Sequence, residues 1–207
     1  MRPLGEARGI RTLAVWISRV FHPFIISTLV LFLAQVLSGI TALEALGWTG
    51  LTIAVLILPV LTFVLFRTRT GRYEDVDVSV REDRYLLYGL AGTCFVLLIA
   101  LLSVFDAPKI VQETLRAALF AFVIAAVLNR FVGKVSLHML AMGGSAAVMA
   151  FVSLPLAVIL GLFGFVVGWS RLYLTRHTVA EVTLGWIIGI ACFGAWLVIF
   201  KKLSYFP

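Results

Sequence analysis

Residues 154–200 read LPLAVILGLFGFVVGW, then SRLYLTRHTVAE, then VTLGWIIGIACFGAWLVIF. The two outer blocks are almost pure hydrocarbon, and the middle block carries the polar groups. A stretch of roughly 20 apolar residues can cross a bilayer as a helix, because the helix satisfies its own backbone polar groups. Similar blocks recur along the whole chain, which is 62% hydrophobic and 13% charged, with a mean hydropathy of +1.09. The sequence therefore predicts an integral membrane protein.

The apolar blocks predict an all-α bundle of six to seven transmembrane helices in a single domain, residues 1–207. The predicted spans are Val20–Thr41, Trp48–Phe66, Leu86–Phe105, Leu115–Leu128, two short spans within Leu137–Trp169 that break near Ser153–Pro155, and Val179–Phe200. Seven spans result if every candidate crosses, and six or fewer if the weak ones merge. Residues 1–19 are basic, and the alternation of basic and apolar residues over Arg8–Arg19 predicts an amphipathic helix along the membrane surface.

The charge and the cysteines exclude several classes of function. The formal net charge is +7, from 17 basic and 10 acidic residues. No basic stripe with interleaved aromatic residues occurs outside the loops that flank the membrane, so the expected anionic partner is lipid and not nucleic acid. Cys94 and Cys192 lie singly within apolar blocks, which indicates neither a disulfide framework nor a zinc site. The oligomeric state is left open.

Basic residues favour one side of the membrane. With seven spans, thirteen of the 17 lysines and arginines fall on the side of the N-terminus and four on the other. Lysine and arginine are enriched in cytoplasmic loops, so the N-terminus is expected in the cytoplasm and the protein in the cell membrane, as a multi-pass chain. The polar motifs would then face the cytoplasm.

Three polar clusters fall in loops on that side. They are REDRY at Arg81–Tyr85, KVSLH at Lys134–His138, and the run that begins at Ser170. A pair of predicted helices separates each cluster from the next, so all three are expected at one face of the bundle. Together they supply histidines, cations, serine and a carboxylate, which is the inventory for metal-free phosphoryl transfer through a phosphohistidine.

The third cluster has the most specific spacing. His177 and Glu181 are four residues apart and would share one face of a helix. The carboxylate could then hold the imidazole in one tautomer while the other ring nitrogen attacks a substrate. Arg171 supplies a fixed fork of donors suited to phosphate oxygens.

These clusters also have structural interpretations. Thr178-x-x-Glu181 before an apolar run is a capping box, in which the carboxylate bonds backbone donors at the start of the last helix. Ser136 could be a helix N-cap, and His138 an interfacial histidine. His22, next to Pro23 at the start of the first predicted span, is predicted to be interfacial rather than catalytic.

The clusters resemble the motifs of the type-2 phosphatidic acid phosphatase family, the lipid phosphate phosphatases, which read K-x6-R-P, P-S-G-H and S-R-x5-H-x3-D. The third motif matches at Ser170, Arg171 and His177, with Glu181 in place of the aspartate. The second motif matches in half its letters, as VSLH at residues 135–138. The resemblance covers the helical body broadly and is most specific in the third motif.

The first motif is degenerate. Arg84 is the matching arginine, but Tyr85 follows it where the family has proline, and Asp77 stands where the family has lysine. Lys134 or Arg81 would supply the missing cation. The two arginines of this cluster could equally pair with the two acidic residues that lie between them.

The resemblance implies an enzyme, a metal-independent lipid phosphatase with no cofactor. It implies His177 as the nucleophile, Glu181 as its orienting carboxylate and His138 as the general acid. The implied phosphate ligands are Arg171, Ser136 and Arg84, with Lys134, Ser170 and Arg81 as further candidates. The implied substrates are lipid phosphates: phosphatidic acid, phosphatidylglycerol phosphate, and prenyl phosphates or diphosphates. The alternative, favoured by the eroded first motif, is a small membrane transporter or a catalytically inactive scaffold of the same shape.

Overall fold

The chain is a bundle of α-helices in the computed structural model, which describes residues 4–78 and 80–203. In chain order the elements are α1 (Leu4–Val20), α2 (Pro23–Leu37), α3 (Ala42–Thr52), a π-helical turn (Ile53–Ile57), α4 (Leu58–Arg69), α5 (Arg84–Val104), α6 (Lys109–Phe131), α7 (Leu137–Val152), α8 (Leu154–Tyr173) and α9 (Val179–Leu203). No strand occurs within the described ranges. The prediction of an all-α chain is confirmed.

Five helical stretches among the described residues are long and apolar enough to cross a membrane. They are Ala42–Arg69, which joins α3, the π-helical turn and α4, and then Arg84–Val104, Lys109–Phe131, Leu154–Tyr173 and Val179–Ile199. A sixth is present if α1 and α2, which are bent by 47° relative to each other, count as one broken span. These helices are compatible with a multi-pass membrane protein, with five or six candidate spans among the described residues where six to seven were predicted. α7, with 16 residues, is shorter than a standard span.

The break predicted in the long apolar stretch is present at Ser153. This residue ends α7 with an extended backbone, at a φ of −155° and a ψ of 98°. α8 then begins at Leu154, with Pro155 in its first turn. Proline is tolerated there, because the N–H that it lacks would have no partner within the helix. The stretch therefore divides into two helices.

The helix α6 is longer than the predicted span Leu115–Leu128. It begins at Lys109, and the polar side chains Gln112 and Glu113 of its added residues both bond Arg116 of the predicted span. Arg116 Nη1 contacts Glu113 Oε1 at 2.5 Å, and Arg116 Nη2 donates to Gln112 Oε1 at 2.8 Å. The apolar run in the sequence is interrupted by these polar residues. The helix nevertheless continues through them, because their side chains are hydrogen-bonded to one another.

The predicted span Val20–Thr41 is interrupted at His22. The imidazole caps α2, since His22 Nδ1 accepts a hydrogen bond from Phe24 N at 3.3 Å. α1 buries Ala14 and Ser18, and its exposed residues include its arginines together with Leu13 and Trp16. Its buried side packs against α8, and this contact brings the end of α1 to the polar end of the bundle.

A seam of glycines, Gly143, Gly185 and Gly189, joins α7 to α9. A Cβ atom added to Gly185 would lie 2.5 Å from the carbonyl oxygen of Ser136. One added to Gly189 would lie 2.4 Å from the carbonyl oxygen of Leu140, and Gly143 faces the α9 backbone equally closely, at 2.6 Å. No larger residue fits at such distances, so the two backbones touch. This glycine seam fixes the position of α7 relative to α9.

The polar clusters meet at one end of the bundle. Arg84, the first residue of α5, donates from Nη1 to the carbonyl oxygen of Val135 at 2.8 Å. The backbone N–H of Ser136 donates to the carbonyl oxygen of Glu181 at 3.2 Å. The N-termini of α5, α7 and α9 therefore lie together, and they position the candidate site.

Candidate active site

His177 and Glu181 form the centre of the candidate site. His177 Nδ1 lies 2.7 Å from Glu181 Oε2. The imidazole is almost fully buried, whereas the carboxylate side chain is 22% exposed. α9 begins only at Val179, so the prediction that both residues share a helical face is wrong. His177 precedes the helix, and the carboxylate reaches back to it from the first turn.

The same carboxylate also closes a capping box. The backbone N–H of Thr178 donates to Glu181 Oε2 at 3.2 Å, and the N–H of Glu181 donates to Thr178 Oγ1 at 3.3 Å. The observed contacts therefore agree with both interpretations of Glu181, as the carboxylate that orients His177 and as a member of the capping box. Because one oxygen atom contacts both the cap and the imidazole, the start of α9 fixes the orientation of the ring.

Burial and neighbouring cations keep the His177 imidazole neutral. Burial has the largest effect on its pKa, and the positive charges of Arg84, Arg171 and Lys134 act in the same direction, which lowers the pKa to about 2. The proton on Nδ1 points to the Glu181 carboxylate, so Nε2 holds a lone pair. The ring is thus a neutral potential nucleophile across the physiological pH range.

Three cations reach the site from three different elements. Arg171 lies in the last turn of α8 and is 1% exposed, and Arg84 opens α5 and is 2% exposed. Lys134, in the loop between α6 and α7, is partly buried, and its Nζ lies 3.9 Å from Glu181 Oε2. The same Nζ donates to the carbonyl oxygen of Arg176 at 2.9 Å. Two carboxylates, Glu181 and Asp77, lie against these three cations, so positive charge is in excess here and favours an anionic ligand.

Two buried polar atoms of the site lack a hydrogen-bond partner among the residues that the structure describes. They are Ser136 Oγ and Arg171 Nε. Leaving a buried polar group unsatisfied costs about 1–3 kcal/mol. The oxygen atoms of a phosphate are strong acceptors for hydroxyl and guanidinium donors. Both groups are donors of the kind that phosphate oxygens accept from.

His138, in the first turn of α7, is also buried. Its Nε2 lies 3.2 Å from the carbonyl oxygen of Ser18 and 3.5 Å from Ser18 Oγ. A carbonyl oxygen only accepts, so Nε2 carries a proton and donates it to this bond. The sequence did not indicate Ser18, because 120 residues separate the two and only the packing of α1 brings them together.

Asp77 is also part of the site. In the sequence its position stands out only because the first motif of the phosphatase family has lysine there. Arg171 Nη1 donates to Asp77 Oδ2 at 2.8 Å and to Ser18 Oγ at 2.5 Å. Burial alone would raise the pKa of Asp77, but the charges of His138 and Arg171 outweigh it and lower the pKa overall. The carboxylate therefore stays ionised, and it neutralises a guanidinium that was predicted to bind phosphate.

A polar cavity of about 790 Å³ lies beside Asp77. Its lining includes His22, whose ring centroid is 5.4 Å from that of His138. Arg176 and Asp75 also line it and form an ion pair through Nη1 and Oδ2. The cavity therefore offers space for polar solutes next to the buried part of the site. His22 lies at the boundary between this cavity and the site.

Two predicted phosphate ligands have other partners. Arg81 donates from Nε to the carbonyl oxygen of Asn129 at 2.6 Å and from Nη2 to that of Arg130 at 2.9 Å. These bonds cap the C-terminus of α6. Ser170 is fully buried, and its hydroxyl donates to the carbonyl oxygen of Val167 at 2.8 Å. The structure thus gives both side chains contacts with helix backbone.

Within residues 4–78 and 80–203, no three histidine, cysteine, aspartate or glutamate side chains form a group that could hold a metal ion. Cys94 and Cys192 are buried, free thiols. Positive charge at the candidate site comes from guanidinium and ammonium groups, whose donors suit phosphate oxygens.

The side chains at this site form a recognisable chemical set. They comprise a neutral imidazole, a carboxylate that orients it, a second imidazole with a proton, and buried cations. No family model, curated protein or solved structure matches this chain. The chemistry of the site therefore carries the functional argument. A set of this composition can transfer a phosphoryl group through a covalent intermediate on histidine.

Lys134 is expected to set the alkaline limit of activity at this site. Burial has the largest effect on the pKa of Lys134 and lowers it. The charge of Glu181 raises this pKa, but two nearby arginines lower it further, so the pKa lies below its ordinary 10.5. As the pH rises through this lowered pKa, the ammonium charge is lost and the rate should fall. Lys134→Arg should move that fall to higher pH, because a guanidinium stays charged. The pH–rate profiles of both proteins test this, and coincident alkaline limbs would contradict it.

Proposed function

We propose that this chain is a membrane-embedded phosphatase that hydrolyses a lipid phosphate through a phosphohistidine intermediate. The contact of 2.7 Å between His177 Nδ1 and Glu181 Oε2 carries the proposal. It leaves the Nε2 lone pair of a buried, neutral imidazole available for attack on phosphorus. The cations around the ring supply the charge stabilisation that phosphoryl transfer requires.

The proposed reaction has two steps. First, His177 Nε2 attacks phosphorus, the bond from phosphorus to the lipid oxygen breaks, and that oxygen takes a proton. We assign this proton to His138 acting from its imidazolium form, which burial disfavours but the Asp77 carboxylate and the bound phosphate favour; the ring becomes a neutral imidazole when it donates. Second, a water molecule gives a proton back to His138 and attacks the phosphohistidine, the P–N bond breaks, and inorganic phosphate leaves. Glu181 stabilises the positive charge that develops on the first imidazole.

The proposed substrate is a lipid phosphate, because the cationic site lies at one end of an apolar helical bundle. Phosphatidic acid, phosphatidylglycerol phosphate, and prenyl phosphates or diphosphates are the candidates that the motif resemblance suggests. We propose that the site faces the cytoplasm at the cell membrane, on the basis of the distribution of lysine and arginine between loops.

One observation favours a second candidate function, a catalytically inactive scaffold of the same shape. Asp77 already pairs with Arg171 at 2.8 Å. A phosphate would have to displace this carboxylate in order to reach Arg171 Nη1. A phosphatase makes that exchange at every turnover, whereas a scaffold never does. Phosphate release therefore distinguishes the two functions.

Release of phosphate by the purified protein from a panel of these lipids tests the proposal. We expect release to continue unchanged in EDTA, because arginine and lysine side chains supply the positive charge at the site. The His177→Asn protein, assayed in the same way, gives the background. Loss of activity in EDTA that a divalent ion restores would contradict the metal-independent mechanism. No release from any lipid of the panel would contradict the phosphatase and favour the scaffold.

Cysteine labelling tests the proposed orientation. Thr175 is exposed in the loop after α8, and Ser38 is exposed at the opposite end of the bundle, after α2. In a background where Cys94 and Cys192 are replaced, Thr175→Cys should resist a membrane-impermeant thiol reagent until the cells are permeabilised. Ser38→Cys should react in intact cells, which makes it the matched control. The reverse pattern would place the site outside the cytoplasm.

A further inference from the structure

An apolar cavity lies within the bundle, separate from the polar cavity beside Asp77. Its volume is about 190 Å³, and residues of α2, α3, α4, α5, α6, α7 and α9 line it. Interiors of folded proteins are normally packed at high density, since unfilled space loses dispersion contacts. A cavity of this size, between so many helices, is a candidate binding site for an apolar group.

Several residues that line the apolar cavity are close in the chain to residues of the candidate active site. Pro23 lines it and follows His22 in the chain, and Leu137 lines it and precedes His138. Leu87, one turn after the start of α5, lines it as well. Three separate helices thus bring the cavity to within one turn of the polar groups. A ligand with its phosphate in the site could place its apolar part here.

The dimensions of the apolar cavity suit one hydrocarbon chain. Along α7 the lining runs from Leu137 to Val148, which is roughly 16 Å at 1.5 Å per residue. An apolar cavity of about 150 Å³ holds a benzene molecule, so one of about 190 Å³ holds on the order of eight carbon atoms. One chain of that length occupies much of the cavity, whereas each of two parallel chains would have only about four carbons of room.

Small side chains create this space. Ala91 of α5, Ala118 of α6, and Ala141 and Ser145 of α7 all line the cavity. A leucine at any of these positions would fill part of the volume. The fact that three helices each present a small residue to the same space indicates a shaped cavity and not an isolated packing defect.

The π-helical turn provides an independent observation. It spans Ile53–Ile57, and Leu56 and Ile57 line the cavity. A π-helical turn is rare and is found frequently at functional sites. Here the irregular turn faces the apolar cavity, which is the position expected if it shapes a binding surface.

Resting on the proposed function, we infer that the apolar cavity receives the hydrocarbon chain of the substrate, and that the substrate is a lipid phosphate with a single chain. The phosphate lies at His177, and about the first eight carbons lie between the helices. Prenyl and straight alkyl chains share this chemistry. A diacyl lipid presents two chains and a glycerol at the same entrance, and the cavity does not accommodate both chains.

Rates on phosphate esters of graded chain length test the inference. In mixed micelles at constant mole fraction of substrate, kcat/KM should rise by about two orders of magnitude from butyl to octyl phosphate, since each buried methylene contributes about fourfold. It should change little from octyl to dodecyl phosphate. Geranyl phosphate distinguishes a prenyl from an alkyl preference, and dioctanoyl phosphatidic acid should be a poor substrate. An active protein without chain-length preference, or one that prefers the diacyl lipid, would overturn the inference.

A matched pair of variants tests whether the dependence of kcat/KM on chain length arises in the apolar cavity. Ala91→Leu fills the lining, whereas Ala100→Leu makes the same change on an exposed part of α5. Ala91→Leu should lower kcat/KM on octyl phosphate about tenfold and leave butyl phosphate unaffected. Ala100→Leu should leave both unchanged. Equal effects of the two variants on octyl phosphate would contradict the assignment.

Photo-crosslinking separates this inference from the proposed function, because it requires no turnover. An octyl phosphonate with a diazirine in its chain should label peptides that contain Ala91 or Ala141, in the wild-type and the His177→Asn proteins. Labelling of these peptides without phosphatase activity would support the cavity as a binding site for the chain and contradict the proposed phosphatase function. Activity with labelling only on the outer, lipid-facing surface would support the enzyme and overturn the cavity.

Discussion

Replacement of His177 by asparagine is expected to reduce phosphate release by about 10⁴-fold or more, the scale of loss when an enzyme loses its nucleophile. The amide keeps much of the size and polarity of the ring but cannot form a phosphorus–nitrogen bond. Initial rates on the best lipid substrate measure the loss. In addition, wild-type protein quenched during turnover should carry radiolabelled phosphate, and the variant should carry none.

His22→Asn is the matched control for this variant. His22 caps α2 through its side chain, and asparagine is a preferred N-cap residue, so the fold should be kept. We expect His22→Asn to retain most of the activity, and both variants to insert and melt like the wild type. Near-wild-type turnover by His177→Asn would eliminate the phosphohistidine mechanism. An equal loss in both variants would mean that His177 has no special role.

Glu181→Gln is expected to lower the rate by about 10²-fold to 10⁴-fold with little change in thermal stability. A glutamine oxygen still accepts the hydrogen bond from Thr178 N, so the capping box persists. The same oxygen also accepts the proton of His177 Nδ1, but the amide has no charge to stabilise an imidazolium. The rate and the melting temperature, measured on the same preparation, separate the two roles of the carboxylate.

Two further variants serve as controls for this prediction. Glu181→Ala should lose both the rate and about 1 kcal/mol of stability, because it removes the cap as well as the charge. Thr178→Ala removes the hydroxyl of the capping box but keeps the carboxylate, so it should lose stability with activity per folded molecule intact. If Glu181→Gln instead kept its rate, the carboxylate would be a cap only, and the proposed mechanism would lose its orienting group.

The helical bundle could be predicted from the sequence because hydropathy acts locally. Runs of apolar residues predict the helices one at a time, and Pro155 marks the break after α7. The interruption at His22 was not predicted, because the apolar pattern continues on both sides of it. The start of α6 was also missed, since its polar residues are satisfied by contacts within the fold that a hydropathy window does not detect.

The candidate site could be predicted where its contacts are close in sequence. The His177–Glu181 pair spans four residues, and its spacing indicated the contact even though the helix begins later than predicted. Contacts made across the fold left no such signal. Ser18 and Asp77 lie 153 and 94 residues from Arg171, and each is an ordinary residue in its own segment. Only the packing of α1 and of the loop before α5 makes them part of the site.

Because the backbones of α7 and α9 touch along the glycine seam, Ser136 and Glu181 are held by one rigid pair of helices. A bilayer that is thinner or thicker than average is accommodated by changes in helix tilt, at modest cost. Sliding of α7 along α9 would drive Gly189 into the carbonyl oxygen of Leu140, only 2.4 Å from where its Cβ would stand. We therefore expect the outer helices to absorb such mismatch while the seam stays fixed. The geometry at His177 should then tolerate membranes of differing thickness and lipid composition.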